Sequence, residues 1–151
     1  LGRGLARVHA LAVPSGHTPV DLGEAIGARR RAGLIDSASF PEPYDRYDPE
    51  RLTDIWNQTP APEGYVAAPT VLIGGPTVGR AVLAEGEVCG FLGAVGLVGD
   101  RHLDLAVMHY SIHRSLGAEA VFGFYDAYGS DPNLVLLDQG ILTGLLLGWI
   151  D

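Results

Sequence analysis

Apolar residues recur at helical spacing towards both ends of the chain and give way to short strand-like runs between them. Leu1, Leu5, Val8 and Leu11 fall on one face of a first helix, which Pro14-Ser15-Gly16 ends. Asp21 is placed to cap a second helix running from Leu22 to about Leu34, with Gly27 as a weak point. Arg29, Arg30 and Arg31 fall on its last turn, where cations suit the negative end of the helix dipole and a solvated end is expected. The segment from Asp36 onward is acidic and aromatic, with Pro41, Pro43, Tyr44, Asp45, Tyr47 and Asp48, and it leads into a short helix starting near Pro49-Glu50. Loops of this length are often functional.

Thr59 to Gly64 reads as a second connector, and Pro69 to Ile73 as a short buried strand. Ala81-Val82-Leu83 and Glu87 to Leu92, separated by Ala84-Glu85-Gly86, form a hairpin pattern. Asp100 can cap a long helix carrying Leu103, Leu105, Ala106, Met108, Ile112 and Leu116, which stops at Gly117. Another helix runs from Ala118 to Tyr128 and ends at Gly129, and Asp131-Pro132 is expected to start the last one. The pattern predicts about six helices around one small β element.

The chain has 151 residues, 47% hydrophobic and 19% charged, enough apolar mass for one core and too little charge for a disordered polyelectrolyte. Ten basic residues against 18 acidic ones leave a net charge of −8, which repels nucleic acid and anionic membrane surfaces. The run from Leu134 to Ile150 is strongly apolar. Asp138, Gln139, Gly140, Gly144 and Gly148 interrupt it, so it reads as a buried helix and not a membrane span. A single cysteine, Cys89, leaves no internal disulfide, no thiolate metal cluster and no redox pair, so the expected compartment is the cytoplasm. The first residue is Leu1 and the opening run is already amphipathic, so the chain is expected to begin within a longer protein.

Two motifs fail on their chemistry. Gly74 to Ala81 approaches the phosphate-loop pattern GxxxxGK[ST], but Arg80 replaces the lysine, Ala81 the hydroxyl, and Pro76 removes an N–H. His109 and His113 share a helix face at i and i+4 but lack the glutamate of HExxH, which leaves a polar face. His9, His17 and His102 have no partners visible in the sequence, and no nucleophile signature surrounds Ser115, Ser130 or Cys89.

The segment from Leu72 to Asp104 resembles the catalytic segment of the aminoglycoside 3′-phosphotransferase-like family, antibiotic kinases with a protein-kinase-like fold. That segment reads approximately T-H-G-D-x-x-x-P-N, a hairpin, G-F-I-D-x-G, and G-V-A-D-R-x-x-D-I-A. Here the stretches are Leu72 to Arg80, the hairpin, Gly90-Phe91-Leu92-Gly93, and Leu97 to Ala106 with Asp100, Arg101 and Asp104 in place. Leu5 to Leu11 resembles the family's L-R-R-L-H-A-L helix, Arg31 to Asp36 its E-A-G-L-V-D, and Phe124 to Gly129 its F-x-x-x-Y-G.

The resemblance implies an α+β fold: a mostly helical C-terminal lobe with a short strand and a β-hairpin, forming one domain over 1–151. The N-terminal nucleotide lobe lies outside this sequence. It also implies ATP-dependent, Mg²⁺-dependent phosphoryl transfer to an antibiotic hydroxyl, with no cofactor expected for this chain alone. The family's catalytic Asp corresponds to Gly75, its metal-binding Asn to Arg80 and its metal-binding Asp to Gly93, and none of these offers a side-chain oxygen. Arg80 remains a candidate phosphate contact, as a fixed charge in place of the ion. Asp36, Glu42, Asp45 and Asp48 are the candidates for holding a cationic small molecule, and Asp100, Arg101 and Asp104 for bracing the loop.

The expected reading is a pseudokinase or ligand-binding remnant. Its alternatives are an active phosphotransferase that uses other carboxylates in a longer chain, and an interaction module presenting the apolar Leu134 to Trp149 helix.

Overall fold

The computed structural model describes residues 1–93 and 96–150. Its six α-helices are α1 (Gly2–His9), α2 (Leu22–Arg31), α3 (Pro49–Gln58), α4 (His102–Leu116), α5 (Ala118–Tyr128) and α6 (Leu134–Leu146). The strands are β1 (Thr70–Leu72), β2 (Ala81–Ala84), β3 (Glu87–Phe91) and β4 (Leu97–Gly99). The α+β class and the helix count agree with the sequence pattern.

Helix α4 is the axis of the molecule, packed on α5 along one side and α6 along another. A helix covered on two sides must be apolar nearly all round. Consecutive residues accordingly feed separate cores: Met108 joins Leu5, Ile73, Leu105 and Phe124, whereas Val107 joins Ile26, Leu52, Leu142 and Leu146. Helix α1 packs on α5, and α2 and α3 pack on α6. Trp56 Nε1 of α3 donates to Thr143 Oγ1 at 2.9 Å, tying α3 to α6.

The apolar run from Leu134 is lobe core. Leu136, Leu137, Leu142, Leu145 and Leu146 are buried, and of its large apolar residues only the first two stand out, Leu134 at 70% and Val135 at 47% exposure. This removes the partner surface on which the interaction-module alternative relied. Gly140, which weakens the helical pattern in sequence, is where α6 crosses α4. A Cβ there would lie 2.9 Å from the His102 carbonyl oxygen and closer still to the Ala106 methyl.

Several boundaries differ from the sequence pattern for identifiable reasons. Helix α1 stops at His9, leaving Leu11 exposed. Helix α2 starts at the Asp21 cap but ends at Arg31, because Leu34 N–H turns back to the Arg29 carbonyl and Gly33 N–H to that of Arg30, a Schellman closure. Arg29 is not simply solvated, since its guanidinium donates to the carbonyls of Leu146 and Leu34. Helix α6 is capped by Asn133 and not by Asp131, with Asn133 Oδ1 accepting from Val135 and Leu136 N–H.

The single expected β element is two. Strands β2 and β3 form the hairpin, turning at Glu85 (φ 53°) and Gly86 (φ 80°), the two positive values of a type I′ turn. Strand β1 pairs antiparallel with β4, with Thr70 opposite Gly99 and Leu72 opposite Leu97. This pairing brings the loop after β1 to the start of α4, where the candidate site lies.

Candidate functional site

Asp104 sits in the first turn of α4 and is fully buried. A carboxylate in that position must find donors, and it does. Oδ2 accepts from Ile73 N–H at 2.6 Å, and Oδ1 accepts from Gly74 N–H at 3.0 Å and Gly75 N–H at 3.4 Å. His9 Nε2, brought in by α1, lies 3.3 Å from Oδ2, and its Nδ1 lies 2.8 Å from the Tyr128 hydroxyl. Because the carboxylate only accepts, Nε2 carries a proton and donates to Oδ2. One side chain thus holds three consecutive backbone amides of the loop after β1.

Asp100 does the same for the entry to α4. Oδ1 accepts from His102 N–H at 2.9 Å and meets His102 Nδ1 at 2.8 Å, while Oδ2 accepts from the Tyr65 hydroxyl at 2.9 Å. Burial raises the Asp100 carboxyl, but the bonds from His102 and Tyr65 outweigh it and hold the group below its ordinary value. Burial, followed by the bond to Asp100, pushes the Tyr65 phenol up to about 12. Arg101 donates to Ser130 Oγ at 3.4 Å.

The three positions corresponding to the family's chemistry form a continuous path. Arg80 NH1 donates to the Gly75 carbonyl at 3.0 Å, and Leu92 N–H, next to Gly93, donates to the Arg80 carbonyl at 2.8 Å. Gly75 has φ 90° and is buried, and a Cβ built on it would lie 2.9 Å from Trp149 Cγ. The turn after α6 seats the indole there, with Trp149 N–H donating to the Gly144 carbonyl at 2.7 Å. Gly93 is exposed with φ 72° and has open space about it.

The acidic loop divides its charges. Asp36 caps the 3₁₀ turn Ser37–Ser39 by accepting from Ala38 N–H, and Asp48 caps α3 by accepting from Arg51 N–H at 2.6 Å. Asp45 lies in the second 3₁₀ turn, Tyr44–Arg46, which packs on the first. Glu42 lines a cavity of about 540 Å³ with Tyr44, Tyr110, His113 and Arg114. The four acids therefore do not act as one cluster.

His109, the other half of the i, i+4 pair, meets the Tyr125 hydroxyl through Nδ1 at 3.1 Å, and burial lowers its pKa, with His113 adding to the shift. Among the described residues no group of three His, Cys, Asp or Glu side chains could hold a metal ion, and no helix is long and apolar enough to cross a membrane.

His9 and Tyr65 are not recognisable as site residues in the sequence, because their partners lie far along the chain, and His102 bonds the nearby Asp100 side chain without any sequence signature marking the pair. One signal was available. Asp104 stands among Leu103, Leu105 and Ala106 on an apolar helix, and a buried acid implies donors.

No family profile and no curated protein matches the chain. Solved structures do. An aminoglycoside-3′-phosphotransferase of type VIII superposes with a TM-score of 0.78 at 23% identity, over 96% of this chain and 59% of that one. The aminoglycoside phosphotransferase APH(3″)-Id from Streptomyces rimosus gives 0.75 at 19% identity, over 97% of this chain and 61% of that one. The same enzyme in complex with ADP and streptomycin gives 0.75 at 20% identity. The chain has the fold of these enzymes' mostly helical lobe and spans about 60% of their length.

Proposed function

We propose that the chain is a phosphotransferase-like lobe that has lost transfer chemistry and serves as a pseudokinase or ligand-binding remnant. The observation that carries this reading is at Gly75, where the indole of Trp149 fills the space a catalytic side chain would need and the backbone is left-handed. A Mg²⁺-nucleotide asks for carboxylate and amide oxygens. Gly75 and Gly93 supply none, and the Arg80 guanidinium points at a loop carbonyl. The residues present do not fit that group, and no transfer step runs through them.

The alternative of other carboxylates finds less support, because both Asp100 oxygens and one Asp48 oxygen are already bonded. A cationic small molecule is the ligand the loop favours, through Glu42 and Asp45, in a chain of net charge −8. The test is incubation of the longest native chain with kanamycin, ATP and Mg²⁺, read by mass spectrometry. Unmodified kanamycin, with saturable binding weakened by Glu42→Gln, is the expected result; Mg²⁺-dependent phosphorylation would overturn the proposal.

A further inference from the structure

A second cavity, of about 390 Å³, lies away from Gly75 and Trp149, between the connector that leads into β1 and the start of α4. Tyr65, Val66 and Thr70 wall one side, and Arg101, His102 and Tyr128 the other. Its volume is within the range of small-molecule sites.

The charges in its walls are unequally used. The negative one, on Asp100, takes the Tyr65 hydroxyl, the His102 backbone N–H and His102 Nδ1, so both oxygens are occupied. The positive one is little used. Arg101 has one long bond to Ser130 Oγ and a side-chain interaction with the Tyr128 hydroxyl, its guanidinium lies 6.0 Å from the Tyr128 ring centroid, and no carboxylate among the described residues is within ion-pair distance of it. A guanidinium has five donors, which leaves most of its capacity for a ligand.

His102 supplies the second group. Its side chain is only 8% exposed, and its Nδ1 is committed to Asp100. Among the described residues its Nε2 has no hydrogen-bond partner. No fully buried side-chain nitrogen or oxygen among the described residues lacks one, so Nε2 keeps some exposed surface, and His102 lines the cavity. The carboxylate accepts from Nδ1–H, so in the Nδ1–H tautomer Nε2 presents a lone pair to a donor in the cavity.

We propose that this cavity binds a small organic anion that also carries a hydroxyl, with its carboxylate on the Arg101 guanidinium and its hydroxyl donating to His102 Nε2. An aryl 2-hydroxy acid is the simplest molecule of this kind, because its ring meets Val66 and the tyrosine rings. No covalent step is involved. The site is independent of the transfer-site reading, so a kinase assay on kanamycin does not bear on it.

The test is calorimetric titration of the whole chain with mandelate, with phenylacetate, which lacks the hydroxyl, and with phenylethanediol, which lacks the carboxylate. Mandelate is expected to bind saturably and about tenfold more tightly than either, the worth of one well-placed hydrogen bond or ion pair. His102→Asn keeps a donor for Asp100 but removes the ring nitrogen, so it should bring mandelate down to the level of phenylacetate and leave phenylacetate unchanged. Arg101→Gln should weaken mandelate and phenylacetate and leave the diol unchanged. Trp149→Phe, at a residue that does not line this cavity, should change nothing. If His102→Asn does not fold, the Arg101→Gln titration and a mandelate-induced shift of the His102 imidazole NMR signals decide. The proposal is overturned by absence of saturable mandelate binding, by equal affinity for mandelate and phenylacetate, by indifference to Arg101→Gln, or by sensitivity to Trp149→Phe.

Discussion

Asp104 and Asp100 on one side, and Gly75, Arg80 and Gly93 on the other, are parts of the same loop-and-helix unit, yet they are built in opposite ways. The two aspartates spend both oxygens on donors from the loop after β1, from α1, from α4 and from the connector. The other three offer backbone groups and one guanidinium bonded within its own loop. The difference follows from cost. A buried carboxylate cannot be removed without orphaning its donors, whereas a glycine at an exposed or aromatic-filled position leaves nothing unpaired. Framework and chemistry can therefore separate within one short segment.

The strongest way to break this comparison is Asp104→Ala. It orphans the N–H groups of Ile73 and Gly74 and the His9 ring, all buried, and should cost on the order of 3–5 kcal/mol in urea unfolding. A loss under about 1 kcal/mol, the worth of an ordinary hydrogen bond, would show that the network is dispensable.

How much of this was legible beforehand follows the same division. The Asp21 cap of α2, the proline start of α3, the Gly129 end of α5 and the hairpin depend on residues within one turn of each other, and sequence reasoning finds them. Strand β4 was missed because its three residues have strand character only through β1, far away in the chain. The resemblance gave bracing roles to Asp100, Arg101 and Asp104, matched His9 within a helix without giving it a role, and did not reach Tyr65 or Trp149. His9, Tyr65 and Trp149 matter through what they touch: His9 reaches across 95 positions to Asp104, and Trp149 fills Gly75 from the last turn.

Gly75→Ala sharpens the other half of the comparison. The new methyl meets Trp149 at 2.9 Å, and the backbone stays at φ 90°, so the substitution should cost about 1–3 kcal/mol. In a Trp149→Ala background the steric part should vanish and the conformational part persist, giving a non-additive double-mutant cycle in thermal or urea unfolding. Additive costs would mean that the indole does not occupy the space above Gly75.

The smallest expected effect separates the two aspartates from each other. Asp100 is partly exposed, and its carboxyl is held below its ordinary value of 3.8 by His102 and Tyr65. A group with a depressed folded-state pKa contributes stability that is present above the unfolded value and lost as pH falls through the folded one. The contribution of Asp100 is therefore intact at neutral pH and disappears only below about pH 4. Asp100→Asn keeps an acceptor for the Tyr65 hydroxyl but abolishes this titration, so its melting temperature should fall less steeply than that of the unaltered chain between pH 5 and 3. Parallel curves would show that the bonds from His102 and Tyr65 do not favour the charged form. In that case the bracing of α4 would rest on Asp104 alone.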